Sequence, residues 1–148
     1  MTNICIVGAL GIMLIGCAGT APKLGITNGK FISCPDTPNC VSTQAPDKKH
    51  AISPLFYQGS AEEAKNRLLN IIQSMKRAKV VNDQGNYLHA EFTSAVFHFV
   101  DDTEFFIDDK QKIIHMRSAA RLGQYDFGVN RRRLETIRKK FNNLSSTK

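Results

Sequence analysis

Five arginines fall in one short run, RSAARLGQYDFGVNRRR, between Arg117 and Arg133. An arginine side chain is a planar fork of N–H donors that matches phosphate or carboxylate geometry. Arg117 stands at the end of an apolar, strand-like stretch, Arg121 lies in the loop that follows, and Arg131 and Arg132 open a basic helix behind Asn130. A helix N-terminus adds backbone N–H groups and a dipole that favours an anion. Arg117, Arg121, Asn130, Arg131 and Arg132 therefore form the candidate anion-binding set. An internal reading competes with this one. Three consecutive arginines in a first helical turn oppose the helix dipole, and Asp101, Asp102, Glu104 and Asp126 are available to neutralise them. On sequence alone both readings stand, and the salt-bridge network is the favoured one.

The acidic run Asp101-Asp102-Thr103-Glu104 offers a second chemistry. Paired carboxylates can carry general acid–base work, so an envelope hydrolase using Asp101, Asp102 and Glu104 is an alternative function; strand-end turns explain aspartates equally well. His89, Glu91, His98 and His115 would have to converge from several strands to hold a metal, and no metal site is assigned. There is no Gly-x-Ser-x-Gly nucleophile motif, no glycine-rich phosphate loop and no sign of a cofactor, so no catalytic residue is assigned.

The N-terminus sets the compartment in which such chemistry would act. Ile4 to Ile15 is an uncharged apolar run, short for a membrane span and suited to a signal-peptide core. It ends in Leu14-Ile15-Gly16-Cys17, which resembles the lipobox of bacterial lipoproteins. Residues 1–16 are read as signal peptide, 17–29 as lipidated N-terminus and tether, and 30–148 as a single domain. Cys17 is the expected lipidation (palmitate-bearing) site. By resemblance to lipoprotein sorting rules, Ala18 after the cysteine implies the periplasmic face of the outer membrane if the cell has two membranes. Net charge is +7. From Arg131 onward there are seven Lys/Arg and one Glu, or 7 − 1 = +6, and the remainder carries 13 − 12 = +1. Basicity confined to one end points to an anionic partner. An envelope location makes that an envelope component or small anion rather than nucleic acid, leaves any protein partner unnamed, and puts the membrane in contact through the N-terminal lipid.

Setting aside Cys5 in the signal and Cys17, two cysteines remain in Cys34-Pro35-Asp36-Thr37-Pro38-Asn39-Cys40. In an oxidising envelope this reads first as a local disulfide, with a metal site and a redox pair as rivals.

Helix and strand patterns must position all of these residues. Ser60 and Glu63 form a capping box, followed by Ala64, Leu68, Ile71, Ile72 and Met75 at helical spacing, which predicts a helix to about Ala78. Alternation predicts strands at Lys79–Asn82, Tyr87–Thr93, Ala95–Asp101, Thr103–Asp108 and Lys112–Ser118. A last helix is expected from about Arg131 to Asn142, capped by Asn130. The expected fold is α+β: an antiparallel sheet of about four to five strands with two helices packed on one face.

Several motifs then join a resemblance. Cys34-Pro35 with Pro38-Asn39-Cys40-Val41-Ser42, Phe99 to Phe105, Arg117 to Gly123 and Asp126 to Arg133 with Glu135 are similar to the domain of unknown function 1499 family, over approximately Leu24 to Phe141. The resemblance implies an envelope protein or lipoprotein and no particular activity. The expected function is a lipid-anchored envelope protein with a binding or accessory role toward an anionic component; the hydrolase and a purely structural protein-interaction factor are the alternatives.

Overall fold

The computed structural model describes residues 19–143, so Cys17 and the signal-like run lie outside the described residues. In chain order the elements are β1 (Cys40–Ser42), β2 (Leu55–Phe56), α1 (Ala61–Gln73), β3 (Ala78–Gln84), β4 (Tyr87–Thr93), β5 (Val100–Asp108), β6 (Ile113–Ala120) and α2 (Val129–Asn143). The six strands form one antiparallel sheet in the order β1-β6-β5-β4-β3, with β2 also paired to β6. The α+β architecture expected from sequence is present.

Side chains on a strand alternate between faces, and here one face is the core. Leu88, Ala90 and Phe92 of β4, Phe105 and Ile107 of β5, and Ile114 and Met116 of β6 meet Leu68, Ile71 and Ile72 of α1 and Leu134, Ile137 and Phe141 of α2. Each of these larger side chains, fully buried, contributes about 1.5–3 kcal/mol. The capping box forms as expected: Ser60 Oγ accepts from Glu63 N at 3.2 Å and Glu63 Oε2 accepts from Ser60 N at 3.1 Å.

Several boundaries differ from the sequence patterns. α1 stops at Gln73, because Arg77 takes a left-handed backbone (φ 59°) that turns the chain directly into β3. Residues 95–99 are not a strand. His98 has φ 55°, and Ser94 closes the loop by donating its N–H to Phe99 O at 2.8 Å and accepting from Phe99 N at 2.9 Å. The alternating Val96, Phe97 and Phe99 that suggested a strand are exposed. β5 instead begins at Val100 and runs unbroken through Asp101, Asp102 and Glu104. α2 begins at Val129, so Asn130 is inside the helix and not its cap. Asp126 does the capping, its carboxylate accepting from Gly128 N and Asn130 N, both at 2.9 Å.

Cys34 and Cys40 are joined, with Cα atoms 5.6 Å apart. The bridge pins the loop before β1, and Asn39 at its end donates through Nδ2 to Gly123 O at 2.6 Å. Closing a loop with a sequence separation of 6 is worth about 2.4 kcal/mol on chain-entropy grounds. Cys34→Ser with Cys40→Ser should lower the unfolding free energy by about that amount in urea titration; an unchanged midpoint would show that the loop is held by its hydrogen bonds instead.

The segment Gly19–Gly29, read from its composition as a tether, lies along the sheet face opposite the helices. Gly25 N donates to Glu104 Oε1 at 3.1 Å and Gly29 O accepts from Gln44 Nε2 at 2.8 Å. At its start, a Cβ on Gly19 would meet Leu122 Cγ at 3.0 Å, so the backbone there touches the loop after β6.

Candidate functional site

β5 and β6 divide the charged residues between two faces. Asp101 points to the helices, while Asp102 and Glu104 point to the opposite, strap-covered face. Antiparallel register puts Glu104 opposite Arg117 on β6 and opposite His89 on β4, and Asp102 opposite Glu91. The two faces therefore carry two separate ionic clusters.

Under the strap, Glu104 is fully buried. Its Oε2 accepts from Arg117 Nη1 at 3.0 Å, and its Oε1 accepts from Tyr87 OH at 2.8 Å and from Gly25 N. Burial, and then the neighbouring Glu104 charge, push the Tyr87 phenol well above its ordinary pKa, which keeps it a donor. Arg117 Nε is buried without a protein partner. Beside this group, Arg121 grips Asp102 with both arms of its fork, Nε to Oδ2 and Nη2 to Oδ1, each 2.7 Å, and reaches Glu91 Oε1 at 2.5 Å. His89 Nε2 lies 2.7 Å from the same Asp102. Burial alone would raise the Asp102 pKa; the hydrogen bonds from Arg121 and His89 outweigh it and hold the carboxyl below its ordinary range. The bond to Asp102 raises the Arg121 guanidinium in turn, so it stays charged.

On the helix face, Arg133 Nη2 donates to Asp101 Oδ2 at 2.6 Å, Nη1 donates to Asn130 Oδ1 at 2.6 Å, and the guanidinium sits 4.6 Å from the centre of the Phe92 ring. Asn130 is fully buried: its Oδ1 accepts from Ser118 Oγ at 2.5 Å, and its Nδ2 donates to Asp126 Oδ2 at 2.9 Å. Arg131 donates to Ala51 O and Lys49 O, both at 2.8 Å, and Arg132 to Phe127 O at 2.6 Å.

The sequence-predicted anion set is thus dispersed. Arg117 and Arg121 are on one face, Asn130 is on the other, and Arg131 clamps the 49–51 turn. Asp126, at the α2 N-terminus, already supplies the anion that those N–H groups attract. Asp101, Asp102 and Glu104 do not converge as a catalytic group would, because the first is on the wrong face and the other two are ion-paired. The four residues weighed for a metal are also apart: His89 and Glu91 join the Asp102 cluster, His98 is exposed in the β4–β5 loop, and His115 Nδ1 lies 3.1 Å from Thr43 Oγ1. Among the described residues no group of three or more His, Cys, Asp or Glu side chains is placed to hold an ion.

Of the candidate set, Arg132 opens onto a cleft. The cleft, about 450 Å³, lies between the α1–β3 turn, the end of β4 and the first turn of α2; Lys76, Arg77, Arg132, Arg133, Ser94 and Thr136 supply its polar wall. Its acid, Asp101, is paired with Arg133. Arg77 Nε donates to Thr93 O at 3.1 Å. Lys76 and Arg77 escaped sequence reasoning because they look like the solvated end of α1, and only the sheet order brings that end beside α2.

The arrangement defines a small α+β domain: helices on one sheet face, an N-terminal strap on the other, ionic clusters inside and a cationic cleft at one end. A family model with the description "Protein of unknown function (DUF1499)" matches residues 30–141. The chain belongs to this family. No curated protein and no solved structure matched it.

Proposed function

We propose that this is a lipid-anchored cell-envelope protein with a binding or accessory role, and that its binding surface is the cleft of Lys76, Arg77, Arg132 and Arg133 for a phosphate-bearing envelope component. The single observation that carries the reading is the charge balance of the cleft: four cationic side chains face one carboxylate, and that carboxylate is taken by Arg133. Three net positive charges on a concave wall, with the Ser94 hydroxyl beside them, suit an oxyanion. The lipobox-like Leu14-Ile15-Gly16-Cys17 supports the anchor. Among the described residues no helix is long and apolar enough to cross a membrane.

Thermal unfolding in inorganic phosphate, against chloride at equal ionic strength, tests the cleft. Ligand at a hundred times its dissociation constant stabilises by about 2.7 kcal/mol. Wild type should show a saturable rise in Tm with phosphate, and Lys76→Gln with Arg132→Gln should lose most of it. Equal response in wild type and variant would reject the cleft. Cys17→Ala tests the anchor separately: acyl labelling should disappear and the protein should leave the membrane fraction.

A further inference from the structure

The cleft is one part of an end face that also carries exposed apolar side chains outside the core. β4 ends, β5 begins and β6 ends at this edge of the sheet, so the loops 94–99 and 121–128 project together. They carry Val96, Phe97, Phe99, Leu122, Tyr125 and Phe127, all exposed. Phe97 and Phe99 stack on each other at 5.5 Å. Phe127 is 85% exposed although its backbone sits at φ 51°, a conformation unfavourable for a bulky residue. Asp126 and Arg132 fasten that backbone on either side, through Gly128 N and Phe127 O. The turn is held firmly while the ring it presents stands clear in solvent.

Charge and connectivity say what meets these rings. Lys76, Arg77 and Arg132 are exposed beside them, and the Asp126 carboxylate is occupied by N–H donors. Aromatic rings bordered by basic side chains match the boundary between acyl chains and anionic headgroups. The chain bearing Cys17 also joins the fold here: Gly19 lies against Leu122, and two residues reach at most about 7 Å. Because Gly19–Gly29 is laid along the sheet rather than free, an acyl anchor at Cys17 would hold this end, and not the β2 end, against the bilayer.

We infer that the end face formed by loops 94–99 and 121–128 docks on an anionic phospholipid bilayer, with Phe97, Tyr125 and Phe127 entering the interface and Lys76, Arg77 and Arg132 meeting headgroup phosphates. This rests on the lipid-anchor and cationic-cleft reading and names its anionic component as the supporting membrane itself.

The chain contains no tryptophan, so single Trp variants report depth without background. Phe97→Trp and Phe127→Trp of the full chain are compared with Phe56→Trp in β2, at the opposite end of β6, since Phe56 and Phe97 are both 68% exposed. With phosphatidylethanolamine–phosphatidylglycerol vesicles whose acyl chains are brominated, Phe97→Trp and Phe127→Trp should shift to the blue and lose about half their emission or more, while Phe56→Trp stays water-like. Emission unchanged at both loop positions, or equal quenching at position 56, overturns the docking face. Intact mass of the same samples reads acylation of Cys17 independently, and the quenching needs no acyl chain. Quenched but unacylated protein therefore sinks the anchor alone, and acylated but unquenched protein sinks the docking face alone. Phosphate-dependent stabilisation with unquenched loops would keep the cleft as a site for a soluble anion.

Discussion

Arg117→Met should cost about 3–5 kcal/mol of stability, because removing one partner of a buried ion pair leaves the other charge uncompensated. Glu104 is fully buried and the Arg117 side chain is 6% exposed, so water cannot take over the lost contact. Two hydrogen bonds, from Tyr87 OH and Gly25 N, would remain on Glu104 Oε1 and could not balance a full charge. Glu104→Gln should be similarly costly: its amide oxygen can still accept from Tyr87 OH and Gly25 N, but the buried Arg117 guanidinium is left without a counter-charge. The double variant Arg117→Met with Glu104→Met should recover much of the loss, as buried pairs replaced by apolar groups of similar volume often do. Urea titration of the single and double variants closes the cycle. A single variant within about 0.5 kcal/mol of wild type would mean that the pair is solvated in solution. The same variants report on the strap: loss of Glu104 as an acceptor should speed amide exchange at Gly25, which donates to it.

Arg121→Met should have a comparable cost and should also change the pH dependence. In wild type the Asp102 carboxyl is held below its ordinary value by Arg121 and His89. A depressed carboxyl contributes stability that is complete above the unfolded value, about 3.9, and is lost as pH falls through the folded value. Without Arg121, burial becomes the dominant influence and raises the carboxyl above its unfolded value, so the contribution of Asp102 changes sign: its share of the acid destabilisation should vanish, and stability should be regained as pH falls through the folded value. Asp102→Asn should remove this part of the acid sensitivity while keeping a partner for His89. Acid titration followed by circular dichroism checks both. An unchanged pH dependence of stability in Arg121→Met would place the controlling carboxylate elsewhere. These two ion pairs concern the fold, which is why the proposed binding falls to the cleft, where Lys76 and Arg132 are exposed to solvent.

Local signals in the sequence were enough for local structure. Ser60 and Glu63 announced the start of α1, helical spacing of Leu68, Ile71 and Ile72 gave its buried stripe, and the alternation of Tyr87 to Thr93 assigned each side chain of β4 to its proper face. The Cys34–Cys40 pairing and the family followed from short motifs in the same way. Loop 95–99 misled because Val96, Phe97 and Phe99 alternate like a strand while their apolar surface is turned outward, and alternation carries no information about which side is solvent. That error split β5 at Asp102 and hid the separation of Asp101 from Asp102 and Glu104.

By itself the sequence favoured a meeting of acids and arginines, since charges in apolar strands have to be paired, while an open anion site stood beside that reading. Which pairs form was decided by tertiary structure alone. Glu104 finds Arg117, and Asp102 finds Arg121, through the β5–β6 register, while Asp101 finds Arg133 through the docking of α2. The same sheet order carries Lys76 and Arg77 to α2 and brings loops 94–99 and 121–128 to one end. Register and docking are set by burying the whole core at once, a non-local sum over Phe105, Met116, Leu134 and their neighbours that no short window of sequence contains.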